Sequence, residues 1–239
     1  MIVIIGGAGN TQAYFSRFMH LLQIELSQTV RFLPLGESSM RTIERLFDEV
    51  PYDSTRILIG FSLGANAALI FTKHIAIDKL ILISPVSVFE MLFSHNGMME
   101  TAKSYRPLRA SWWRDMRVVK KLICFLDSFT LGRDILKRFY KKMNPNSPII
   151  VLEEIFRRGY YDLLRNIETY VTGVDMNEAL SNTKATRIRI ICGKDDEFVH
   201  LSKTIQTVST DPRLQVKICD GDHHMLLNNP VEVLLRIRS

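Results

Sequence analysis

No stretch of this 239-residue chain carries the roughly 18–20 consecutive apolar residues that a bilayer-spanning helix needs. Its longest apolar runs are strand-sized, such as Lys79-Leu-Ile-Leu-Ile-Ser84, which excludes a transmembrane segment. The opening Met-Ile-Val-Ile-Ile-Gly-Gly has no basic segment and only about four apolar residues before glycine, short of the core of a secretion signal, so none is expected. Cysteine is scarce. Cys124, Cys192 and Cys219 are too few and too oddly numbered for a disulfide framework, and their apolar surroundings predict buried, reduced thiols and a cytoplasmic protein. His20, His74, His95 and His200 lack metal-ligand spacing, and neither a metal nor a cofactor is expected. Internal repeats and low-complexity tracts are missing too.

What is present suits a folded chain: 46% hydrophobic and 23% charged residues suffice to bury a core and argue against disorder. The length fits one domain, or one domain with a small cap. The formal net charge is +6, but residues 101–145 alone hold twelve bases (from Lys103 to Lys142) against Asp115, Asp127 and Asp134, a local +9 that leaves the rest at −3. A charge so concentrated, without a recognisable nucleic-acid-binding motif, points away from nucleic acid as partner.

Short apolar runs at Ile2–Ile5, Val30–Leu33, Ile57–Gly60, Leu80–Ile83, Ile188–Cys192 and Val216–Cys219 are continuous rather than alternating. That is the pattern of strands buried on both faces of a parallel sheet. Between the first two, Phe15, Phe18, Met19, Leu22 and Leu26 mark one face of a helix; Ile43, Leu46, Phe47 and Val50 mark another, ended by Pro51. Asn229-Pro-Val-Glu232 supplies a cap, a first-turn proline and a glutamate for a last helix. The alternation implies a doubly wound, mostly parallel α/β sheet of about six strands, with ligands at the strands' carboxyl ends. Residues 1–87 and 183–239 are expected to form this core. Residues 88–182 break the alternation and read as a mostly helical insertion, part of it a basic cap containing Trp112-Trp113. Val119, Leu122, Ile123 and Leu126 give one helical stripe there, and Leu152, Ile155, Phe156, Leu163, Leu164 and Ile167 suggest further helices.

Gly60-Phe-Ser62-Leu-Gly64 carries the chemistry. Ser62 falls between a strand and a helical composition, where a sharp turn pushes the hydroxyl above the sheet and flanking glycines avoid collisions. A serine hydroxyl is a poor nucleophile until a histidine takes its proton, and that histidine needs a carboxylate to hold its tautomer. Gly193-Lys-Asp-Asp-Glu-Phe-Val199 and Gly221-Asp-His-His-Met-Leu-Leu-Asn-Asn-Pro230 follow the fifth and sixth strands, on the same edge as Ser62. Gly6-Gly-Ala-Gly-Asn10 invites a dinucleotide-binding reading, but it lacks a third glycine at the right spacing and no acid ends the second strand.

In the combination of these three segments, over nearly the whole chain, the sequence resembles the α/β-hydrolase superfamily. The resemblance implies Ser62 as nucleophile, Asp196 as acid and His223 as base, with Asp195 and His224 as adjacent alternatives. Asp196 matches the Gly-x-x-Asp spacing and His223 the distance to Pro230. It further implies an oxyanion hole from the backbone N–H groups of Leu63 and Ala8. Gly6 stands where the family often has histidine, and two strands that commonly precede the first are missing. The expected activity is hydrolysis of a carboxylic ester or thioester through an acyl-enzyme. A serine at this turn excludes the dehalogenase and epoxide hydrolase variants, which need a carboxylate there. Thioesterase, C–C bond hydrolase and acyltransferase chemistry remain alternatives, as do a non-catalytic binding protein and a lipid hydrolase resting on a membrane surface. The basic cap favours an anionic small-molecule acyl substrate, such as a coenzyme A or carrier-protein thioester.

Overall fold

Six runs of isoleucine, valine and leucine pair in parallel into one sheet: β1 (Ile2–Ile5), β2 (Val30–Leu33), β3 (Ile57–Phe61), β4 (Ile77–Ile83), β5 (Ala185–Gly193) and β6 (Leu214–Cys219). The computed structural model describes residues 1–51, 54–86, 124–143, 148–159, 162, 165–166, 169–170, 176–196 and 211–239. The strand order is β2-β1-β3-β4-β5-β6, so the chain steps outward from β1 to β2 and then returns past β1 to β3. That reversal opens a crevice between the carboxyl ends of β1 and β3. The register sets Ile5 beside Gly60, Phe61 beside Ile83, and Gly193 beside Cys219, bringing the loops that follow these strands to one edge.

Every residue of β1 and β3 is buried, as continuous apolar runs predict. The two edge strands depart from that expectation: β2 is buried only at Val30, and Ile218 of β6 is 44% exposed. An edge strand lacks a neighbour on one side, and its side chains are only partly covered by helices. The central strands also begin earlier than the apolar runs, taking in Asp78, Lys79 and Arg187, and Arg189 stands within the fifth run. The reason lies in the last helix. Lys79 Nζ donates to the Ile237 carbonyl at 2.9 Å, and the Arg189 guanidinium donates to the carbonyls of Arg236 and Ile237. These cations meet a helix C-terminus, where the dipole is negative and the carbonyls lack partners within the helix.

Helices α1 (Gln12–Leu26), α2 (Met40–Asp48) and α3 (Leu63–Phe71) connect the first four strands. Tyr14, Phe15, Phe18, Met19 and Leu22 form the buried face of α1. Ser39 caps α2 by accepting from Thr42 N at 3.1 Å. Between β4 and β5 lie α4 (Thr130–Met143), α5 (Ile149–Arg158) and α6 (Met176–Ser181); after β6 come α7 (Met225–Asn228) and α8 (Pro230–Arg238). Asn229 caps α8 through its side chain, with Pro230 in the first turn.

Cys192 and Cys219 are buried, and burial pushes their thiols up to about 12 and about 11. Cys124 is exposed, contrary to the sequence expectation, because the helical turn at residues 124–127 directs Asp127 inward and Cys124 outward. Trp112-Trp113, Val119, Leu122, Ile123, Leu163, Leu164, Ile167, Val199, His95, His200 and the bases from Lys103 to Lys121 lie outside the described residues.

Candidate active site

Ser62 directly follows β3 with φ 55° and ψ −126°, a left-handed backbone that a side-chain-bearing residue rarely adopts and that costs roughly 1–3 kcal/mol. The surroundings hold it there. Ser62 N donates to Ile83 O and Ala65 N to Ser62 O, both at 2.9 Å. Gly60 and Gly64 make this turn possible: a Cβ on Gly60 would stand 2.5 Å from Gly64 O, and one on Gly64 would collide with the carbonyls of Ile5 and Gly6. Helix α3 therefore presses directly on β1 and β3, and the Ser62 hydroxyl points out of the sheet's carboxyl edge.

The loops after β5 and β6 fasten to each other. Lys194 N donates to Cys219 O at 2.8 Å and Asp195 N to Gly221 O at 3.0 Å. Gly193 lies so close to this second loop that a Cβ would come within 2.8 Å of Asp222 O. The contact brings Asp196 beside His223. His223 Nδ1 lies 3.0 Å from Asp196 Oδ1 and 3.2 Å from Oδ2, and its Nε2 lies 3.0 Å from Ser62 Oγ. A proton on Nδ1 satisfies the carboxylate and leaves Nε2 to accept from the serine hydroxyl. The Asp196 side chain is fully buried and that of His223 nearly so, which strengthens both bonds relative to water.

The adjacent alternatives point elsewhere. Asp195 is exposed. The Tyr14 hydroxyl hydrogen-bonds His224 Nδ1 at 3.1 Å, and burial lowers the pKa of His224 to about 4. Tyr14 stacks on Phe61, which in turn packs on the His223 ring with centroids 5.3 Å apart. A neutral, buried imidazole thus backs the ring that touches Ser62. Sequence reasoning missed Tyr14, whose place in the helical stripe beside Phe15 reads as plain core.

Leu63 opens α3, where first-turn N–H groups have no partner within the helix. Ala8 lies in the turn after β1, and that turn abuts Ser62: a Cβ on Gly7 would stand 2.8 Å from Ser62 Cβ. Beside this turn a cavity opens toward the insertion, with Asn10 and Gly36 on one wall and Ile155, Arg158, Asp162 and Asn166 on the other. Asn66 is a second residue the sequence did not single out. Buried in α3, it donates to the carbonyls of Val86 and Tyr170 at 2.8 and 3.0 Å and accepts from Val86 N at 3.0 Å. One side chain thereby fixes the chain leaving β4 and a segment of the insertion. A lone amide within Ala65-Asn-Ala-Ala-Leu was its only signal.

No family profile and no curated protein sequence matches this chain. Solved structures do. MenH from S. aureus superposes with a TM-score of 0.62 at 15% identity over 99% of this chain and 92% of that one. E-2-(acetamidomethylene)succinate hydrolase gives 0.60 at 14% identity over 99% and 89%. A thioesterase domain from the curacin biosynthetic pathway gives 0.57 at 13% identity over 100% and 90%. The chain has the α/β-hydrolase fold shared by these proteins.

Proposed function

We propose that this protein is a serine hydrolase that cleaves a carboxylic ester or thioester through a covalent acyl-enzyme. The observation that carries the reading is the chain of two 3.0 Å contacts running from Asp196 through His223 to Ser62 at the carboxyl edge of the sheet. In this reading Ser62 Oγ attacks the acyl carbonyl while His223 Nε2 takes the hydroxyl proton, and Asp196 stabilises the imidazolium that forms. The backbone N–H groups of Leu63 and Ala8 hold the oxyanion, a contribution of roughly 3 kcal/mol per donor in comparable sites. The tetrahedral intermediate collapses, His223 gives its proton to the departing alcohol or thiol, and the acyl group stays on Ser62. Water, deprotonated by His223, then attacks the ester and releases the acid.

Proteins of similar structure include a thioesterase, a deformylase, an enol-lactonase and carboxylesterases, which supports hydrolysis as the reaction class. Within that class we favour an anionic acyl thioester, because the sequence gathers its positive charge between residues 101 and 145. The test is labelling with a fluorophosphonate probe beside Ser62→Ala, followed by turnover of p-nitrophenyl esters and acyl-coenzyme A. Labelling and turnover are expected in the wild type and absent in the variant. A folded wild type that takes no label would overturn the reading in favour of a non-catalytic binding protein.

A further inference from the structure

Helix α4 and the turn before it expose large apolar side chains: Phe125 is 64% exposed, Leu131 68%, Ile135 49% and Phe129 38%. These are not scattered. Leu131, Ile135, Arg138 and Lys142 recur at i, i+4, i+7 and i+11, so one face of α4 runs from apolar at its start to basic at its end. Phe125 and Phe129 pack edge to face with ring centroids 5.3 Å apart, just before that face begins. An adjacent flank of the helix is held by the protein. Leu136 and Gly132 are buried, a Cβ on Gly132 would strike the Leu126 carbonyl, and Arg133 Nε donates to Asp127 O at 2.6 Å. The outward face is therefore a consequence of how α4 seats, not of a loose helix.

We propose that this face docks on an anionic lipid bilayer. Charge decides the occupant. From Thr130 to Met143 the helix carries five bases, Arg133, Lys137, Arg138, Lys141 and Lys142, against the single acid Asp134. A second copy of the chain seated on the same face would bring these like charges together, which disfavours a symmetric dimer. Nucleic acid would pair with the bases but leave Phe125, Leu131 and Ile135 uncovered. A bilayer surface with acidic headgroups satisfies both halves of the face at once. The apolar side chains enter the boundary between headgroups and acyl chains, and Arg138 and Lys142 meet the negative surface. Among the described residues no helix is long and apolar enough to cross a membrane, so the association is peripheral.

The proposal stands apart from the reaction at Ser62, and the Ser62→Ala protein is expected to bind vesicles as the wild type does. The experiment is sedimentation of the full chain with vesicles of phosphatidylcholine alone and of phosphatidylcholine mixed with phosphatidylserine. Binding to the mixed vesicles is expected to be about tenfold tighter and to weaken as salt is raised. Leu131→Ser with Ile135→Ser, and separately Arg138→Glu with Lys142→Glu, are each expected to weaken it about tenfold or more without shifting the unfolding midpoint, since all four side chains point outward. Three results would overturn the proposal. They are equal sedimentation with and without acidic lipid, binding that both double variants retain, and a concentration-dependent dimer that Leu131→Ser with Ile135→Ser dissolves.

Discussion

His224 shows how much one buried side chain can depend on a single neighbour. Its ring is buried, hydrogen-bonds the Tyr14 hydroxyl, and has a pKa lowered from 6.5 to about 4, first by desolvation and next by the closeness of His223. A histidine that resists protonation when folded lets the unfolded chain bind the proton first. Stability is then full above pH 6.5 and falls as pH drops from 6.5 toward 4, by up to about 3 kcal/mol from this group. Urea midpoints measured across that range are expected to decline in the wild type and to decline less in His224→Gln, which removes the titration. Equal slopes in the two proteins would show that His224 titrates normally. The consequence for the site is direct, because a neutral His224 avoids setting a second positive charge beside the imidazolium that His223 would become.

At the scale of elements, α3 is the hub. Its first residue follows Ser62, its glycine presses on β1, and its Asn66 reaches the two chain segments above it. Replacing Asn66 with alanine strands a buried N–H and two carbonyls, each left with a desolvation penalty. The expected cost is about 1–3 kcal/mol, read as a lower denaturant midpoint at an unchanged slope. Asn66→Asp, which sets a buried carboxylate oxygen against these two carbonyls, is expected to cost at least as much as alanine. The sequence made α3 legible as a helix through its alanines, and the glycine pair announced the turn before it. It gave no sign of which groups Asn66 would satisfy, since Val86 and Tyr170 lie 20 and 104 residues away.

For the molecule as a whole, the sheet order and the charge distribution work together. The reversal between β1 and β3 opens the crevice where the Gly6–Asn10 turn faces Ser62, and the basic run is inserted between β4 and β5. With a Debye length of about 10 Å at 0.1 M salt, a concentrated basic region steers anionic substrates only at low ionic strength. For an acyl-coenzyme A substrate, kcat/KM is therefore expected to fall by about tenfold between low salt and several hundred millimolar. A neutral p-nitrophenyl ester measured alongside is expected to change little. A flat profile for both substrates would remove the case for an anionic leaving group while leaving the Ser62 chemistry untouched.

The sequence by itself determined the parallel sheet, because β-branched runs separated by helical periods admit few other arrangements, and it marked Ser62 as a candidate nucleophile, because flanking glycines let a strand turn sharply into a helix there. Spacing put Asp196 and His223 ahead of their neighbours Asp195 and His224, but it says nothing of which side chains meet. Tertiary structure separated each pair: the loops after β5 and β6 zip together at Gly193 and Gly221, turning Asp196 and His223 inward while Asp195 faces solvent and His224 is drawn to Tyr14. Tertiary structure also decided where charge enters the strands, since Lys79 and Arg189 are held by carbonyls of α8 rather than by any neighbour in sequence. A hydrogen-bond partner more than a hundred residues away leaves no local periodicity. Only the folded chain brings it within 3 Å.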